Sequence, residues 1–138
     1  MNLASLATDN ISELLVKIIE FTQNRQKILT QNINNTHIPG FVPKDLAVDE
    51  FSSLLNNAIN EHTQNQRLLF CDTINIKFGA AGRLELQPTT DKYAKELLEK
   101  NRNGYIELQI NKLLENSLNQ RAAAVLLRQK QEMISIFE

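Results

Sequence analysis

The strongest constraint on this chain is a pair of long segments at its two ends that carry helical apolar periodicity and contain no Gly or Pro. From Asn10 onward, Ile11, Leu14, Ile18, Phe21 and Ile28 recur at alternating three- and four-residue steps, with Arg25 in the one polar gap. A second stripe runs beside the first through Leu15, Ile19, Leu29 and Ile33. Asn10 is expected to cap this helix, with Glu13 completing a capping-box pair. The last segment, 106–137, carries Ile110, Leu113, Leu114, Leu118, Val125, Leu126, Leu127 and Met133, and Ala122 to Ala124 permit close helix approach. At 1.5 Å per residue it extends about 45 Å, longer than a compact domain of this size requires. A helix with two apolar stripes needs more than one neighbour, so the ends are expected to pair with each other and to pack against further subunits.

The fold expected is therefore mainly α. Long N- and C-terminal helices pair as an antiparallel coiled coil, with short helices and a small β-hairpin between them. The whole chain, 1–138, reads as one unit, with 10–35 and 106–137 as its helical core and 36–105 as the connecting region. The sparse punctuation, 4 Gly and 3 Pro, supports long elements over many short strands.

The connecting region divides by its period. The first helix is expected to stop at Asn34-Asn35, ahead of the Ile38-Pro39-Gly40 turn. Asp49 reads as the cap of a short helix with Phe51, Leu54, Leu55, Ala58 and Ile59 on one face, and the polar run 60–67 leads out. Ile74, Ile76 and Phe78 then alternate with polar residues, as do Leu84 and Leu86 beyond Gly79–Arg83, which predicts a hairpin. Pairing Phe78 with Leu84 sets Ile76 opposite Leu86 and Lys77 opposite Glu85, leaving one apolar and one charged face. A hairpin alone is marginal, so it must lie on something, and it is expected to be peripheral to assembly, which the helices carry. Asp91 caps a further short helix bearing Tyr93, Ala94, Leu97 and Leu98, and Asn101–Gly104 breaks it.

Charge and chemistry exclude more than they suggest. Lys and Arg number 15 against 16 Asp and Glu, a net charge of −1, which argues against a nucleic-acid binder working by bulk positive charge. No run of about 18 apolar residues is present, and the N-terminus lacks the basic start and apolar block of a secretory signal. His37 and His62 are the only histidines and lack the companions a metal site needs. The single Cys71 has no basic cluster or paired histidine beside it in sequence and is expected to be a partly buried core residue. Gly79-Ala80-Ala81-Gly82 lacks the Lys-Ser/Thr ending of a phosphate loop and reads as a hairpin loop. No catalytic constellation, cofactor site, metal site or small-molecule substrate is expected. The 16 Asn and 10 Gln either bond across helices without a charge penalty or reflect codon bias, and the sequence favours neither reading.

The most specific feature is the run Arg25-Gln26-Lys27-Ile28-Leu29-Thr30-Gln31-Asn32-Ile33-Asn34-Asn35-Thr36-His37-Ile38-Pro39-Gly40-Phe41, with Lys44-Asp45-Leu46 after it. It resembles the N-terminal signature of the flagellar basal-body rod and hook proteins, in which a helix ends in an Asn-x-x-Asn pair, a Pro-Gly turn and an aromatic residue. The Arg-Gln-x-Ile-Leu lead-in, the Asp-Leu after the turn and the C-terminal run Glu115-Asn116-Ser117-Leu118-Asn119-Gln120-Arg121 are most similar to the proximal-rod subfamily. Ile38 stands where that family usually has Thr.

The resemblance implies a structural, non-enzymatic subunit of the bacterial flagellar rod. Its terminal helices would assemble into a helical drive shaft that transmits torque. The turn residues would be Asn32, Asn35, Pro39, Gly40, Phe41 and Asp45. The assembly helices would act through Ile11, Leu14, Ile18, Phe21, Arg25, Gln26, Ile28, Leu114, Leu118, Val125, Leu126 and Met133. Implied partners are other copies of the chain, other rod proteins, the membrane-ring protein with its rod adaptor, and the flagellar export apparatus. The implied location is the basal body on the periplasmic side, reached without a cleaved signal. The alternative is a cytoplasmic helical adaptor or chaperone of a type III secretion system; the Pro-Gly turn and the small net charge favour the rod.

Overall fold

The computed structural model describes residues 3–137. Helix α1 spans Leu3–Asn34 and helix α4 spans Arg102–Phe137, about 48 and 54 Å at 1.5 Å per residue. They run antiparallel: Asn116 Nδ2 donates to Thr22 O at 2.8 Å, and further along Tyr105 Oη donates to Asn32 O at 2.8 Å. The chain is thus mainly helical, with its long terminal helices paired and shorter elements between them.

Asn10 does not cap α1. The helix begins at Leu3 because nothing from Leu3 to Asp9 interrupts a hydrogen-bond ladder that, once nucleated, propagates cheaply. Asn10 lies inside it, and its Nδ2 reaches His62 Nδ1 at 3.2 Å and Gln66 O at 3.4 Å. Helix α2, Val48–Asn65, also differs at both ends. Its cap position is Ala47, which makes no side-chain cap bond, and Asp49 sits in the first turn, where a carboxylate favours the helix dipole. The polar residues from Asn60 to Asn65 continue the helix, which closes at Gln66 in the left-handed region, φ 57°. Helix α3, Lys92–Lys100, is capped as expected, with Asp91 accepting from Ala94 N at 3.1 Å. The break after it is one residue, Asn101, whose Oδ1 accepts from Gly104 N at 3.0 Å and so starts α4 ahead of the expected position.

Strands β2, Ile76–Phe78, and β3, Leu84–Leu86, pair in the register expected from their alternation: Ile76 with Leu86, Lys77 with Glu85, Phe78 with Leu84. Ile74 does not join them. Thr73 N donates to Ile76 O at 2.7 Å, a tight turn that projects Ile74 outward, 88% exposed. A second pair was not expected: β1, Lys44–Asp45, lies antiparallel to β4, Thr89–Thr90. Two-residue strands are too short to show a period.

The core sits between α1, α2 and the hairpin. Phe21 and Phe51 stack with centroids 4.0 Å apart, and Leu46, Leu54, Ile76 and Leu84 close around them. Ile18, Ile28, Leu55 and Phe78 pack at the edge. The hairpin thus lies on the helices, as expected, and contributes Ile76 and Leu84 to the core. Lys17 Nζ also holds Gly82 O, and Glu20 Oε1 accepts from Leu84 N at 2.8 Å. Ile59 was expected on the apolar face of α2 but is 46% exposed, because the core ends at Ala58. Cys71 is exposed, since the segment leading into the hairpin runs over the surface. No helix among the described residues is long and apolar enough to cross a membrane.

Candidate assembly surface

The turn after α1 is built by the Thr36 side chain and by backbone bonds. Thr36 Oγ1 donates to Ile33 O at 2.6 Å, and the N–H of Ile38 bonds Asn35 O at 3.1 Å. Gly40 then takes φ +76°, a conformation that glycine adopts without strain, and Phe41 N returns a bond to Ile38 O at 3.2 Å. Phe41 is half-buried, so it anchors the returning chain only in part. Asn35 acts through its backbone, whereas Asn32 acts through its side chain. Fully buried, it accepts from Lys44 N at 3.2 Å and donates to Lys44 O at 2.7 Å, pinning β1 against α1. Its amide also donates to Gln109 Oε1 of α4 at 3.1 Å.

A Cβ added at Gly40 meets no atom within 4 Å, so any cost of substitution there comes from the backbone alone. Gly40→Val is expected to lose about 2 kcal/mol, since β-branched residues are strained at positive φ, while Gly40→Asn should lose well under half of that. Urea unfolding of the two variants measures the difference; equal midpoints would show that the turn tolerates any residue.

Asp45 follows the turn and joins two elements. Arg25 Nε and Nη2 donate to its two oxygens at 2.9 and 3.0 Å, a bidentate pair, and Lys112 Nζ donates to Oδ2 at 2.9 Å. Lys112 also reaches the Asp91 cap at 2.6 Å, because β1–β4 pairing brings Asp91 beside Asp45. Burial pushes the Asp45 carboxyl up, but hydrogen bonds and charge from Arg25 and then Lys112 outweigh it and hold the group below the usual range. Burial likewise pulls the Lys112 ammonium down, and its two carboxylate partners more than reverse this. Tyr105 is buried completely; burial, with the Asp91 charge adding to it, pushes its phenol up to about 12.

The C-terminal helix is arranged against its composition. The face turned to α1 carries Tyr105, Gln109, Lys112, Asn116 and Ala123, spaced by three, four or seven residues, and all but half-buried Lys112 are buried. The face turned outward carries Ile110, Leu114, Leu118 and Ile136, between 44% and 76% exposed, while Leu126 and Met133 are exposed on its flank, Leu126 lining a groove with Leu15, Phe21, Phe51 and Leu55. Helix α1 shows the opposite outcome. Leu14, Phe21 and Arg25 of the first stripe are buried and Ile11, Ile18 and Ile28 half-buried, and Leu15 and Leu29 of the second are buried with Ile19 and Ile33 half-buried, so both its stripes are covered within the chain. Gln26 is exposed, as are Leu114, Leu118, Leu126 and Met133, while Val125 is half-buried. The polar seam of Gln109, Lys112 and Asn116 escaped the apolar pattern; their four- and three-residue spacing was the available signal.

Among the described residues, no group of three or more His, Cys, Asp or Glu comes together that could hold a metal ion. Comparison with protein-family models, with curated proteins and with solved structures finds no match for this chain.

Proposed function

We propose that this chain is a structural subunit of a helical assembly, and specifically a proximal-rod subunit of the bacterial flagellar basal body. The observation that carries the proposal is the outward face of α4. Ile110, Leu114, Leu118 and Ile136 point away from the molecule while the same helix spends polar residues on its internal partner. Monomers rarely expose a contiguous apolar stripe of this length without using it for association. The resemblance of the turn region supports the rod in particular, and the buried Asn32 and Arg25 with the half-buried Asp45 give its residues a structural reason to be there. One helix pair closes within the chain, and the outer face of α4 then meets neighbours along the rod.

The test replaces exposed residues, so that folding is spared. Leu114→Asp with Leu118→Asp is expected to leave the thermal midpoint of the monomer unchanged and to abolish both swimming and basal-body formation in a strain lacking the native gene. Normal swimming, or absence of the native protein from purified basal bodies, would overturn the rod reading.

A further inference from the structure

A second surface on this molecule is opposite in charge to the outer side of α4. Between α2 and the segment 69–73 lies an open cleft of about 570 Å³. Leu54 forms part of its floor, and Leu69, 47% exposed, stands with Cys71 on the opposite wall. Its α2 wall carries Asp49, Glu50 and Glu61, and α2 contains no Lys or Arg. Glu50 holds Asn75 through Nδ2 at 2.6 Å and N at 3.1 Å, and Glu61 meets Arg67, whereas Asp49 is exposed and takes no ion-pair partner among the described residues.

The C-terminal half of α4 has the opposite character. Leu118 and Ile136 form its outward ridge with Met133 on the flank, and at 100° per residue Arg121 and Arg128 border that ridge while Lys130 shares the face of Lys112. From Leu118 to Phe137 these three cations face a single carboxylate, Glu132. An apolar ridge with basic borders thus corresponds to an apolar-floored cleft with an acidic wall. The cleft and the ridge share no residue, so one molecule is able to use both at once.

We infer that the α2 cleft receives the C-terminal half of α4 from a second copy of this chain, giving a head-to-tail contact. The inference rests on the assembly reading above and adds the acceptor surface to it. Such a contact is heterologous: it extends to further copies as rings or filaments and does not stop at a two-fold dimer. Opposed charge sets its polarity and suppresses pairing of α4 with α4, which would place Arg121 and Arg128 among like charges.

Charge reversal tests it. Asp49→Lys with Glu61→Lys reverses the cleft, and Arg121→Glu with Arg128→Glu reverses the ridge; all four residues lie outside the buried core. In sedimentation of the purified full chain, each variant alone is expected to associate at least about tenfold more weakly than the parent. An equimolar mixture of the two variants, and a single chain carrying all four changes, are expected to recover association, because every junction is again complementary. Association that survives cleft reversal but falls with ridge reversal would overturn the inference while leaving assembly through α4 intact. A parent chain that stays monomeric at every concentration would also overturn it, and the rod reading is judged separately by the presence of the protein in basal bodies. Should a reversed variant misfold, crosslinking decides. Cys71 is the only cysteine, so a Cys71→Ser, Gln129→Cys copy mixed with the parent should give a bismaleimide-linked heterodimer. Its absence, with the parent associated, would refute the contact.

Discussion

Asp45→Ala is expected to destabilise the folded chain by about 3–4 kcal/mol, a large part of the 5–15 kcal/mol typical of a domain. The reason is the partner left behind. The Arg25 side chain is 8% exposed, and its bidentate bond to Asp45 is what makes its burial tolerable. Lys112 keeps Asp91 and suffers less. Leu46 N also loses its bond to Asp45 Oδ1, at 2.8 Å. Replacing both members of the pair, as Arg25→Met with Asp45→Leu, should recover most of the loss, because no buried charge then lacks a counter-charge. Urea unfolding of single and double variants measures this; a loss under about 1 kcal/mol for Asp45→Ala would show the pair to be solvated.

The same network sets a pH dependence. The Asp45 pKa is lower in the folded state, so its contribution is complete above the ordinary value of 3.8 and is lost as pH falls through the depressed one. The Lys112 pKa is higher when folded, so its contribution is complete below the ordinary value of 10.5 and is lost as pH rises through the elevated one. Stability from this cluster is therefore flat between the two ordinary values and declines outside them. In Asp45→Ala the acid-side decline should be shallower.

Asn32→Ala is expected to cost about 3 kcal/mol or more, of similar size but by another route. Asn32 makes three side-chain bonds, two to the Lys44 backbone and one to Gln109. Gln109 is buried completely and its Nε2 already lacks a partner, so losing Asn32 leaves its whole amide without one. Each buried polar group so stranded costs about 1–3 kcal/mol. Asn32→Ala with Gln109→Leu removes both sides and should be milder than Asn32→Ala alone. Thermal melts of the two variants decide it; a larger loss in the double variant would mean that Gln109 is satisfied by other means.

Much of the local structure was legible in the sequence because local rules produced it. The hairpin register follows from a two-residue period, the α3 start from the Asp91 side chain, and the end of α1 from Pro39 and Gly40. The boundaries of α1 and α2 were less legible. A residue with capping chemistry also sits comfortably inside a helix when nothing stops the ladder, as Asn10 and Asp49 do.

What the sequence determined by itself is the set of elements and the surplus of apolar surface on the two long helices. Periodicity dictates which residues share a face, and that is a property of the chain alone. Which face turns inward was decided by tertiary structure. On α1 the covering elements, α2 and the hairpin, came from the middle of the chain and buried the stripe of Ile18, Phe21 and Ile28. On α4 the inward place went to Tyr105, Gln109 and Asn116, because Asn32 and the Thr22 carbonyl offered them hydrogen bonds across the pair. A buried polar seam is stable only when its partners stand opposite it, and no one-dimensional pattern records what stands opposite.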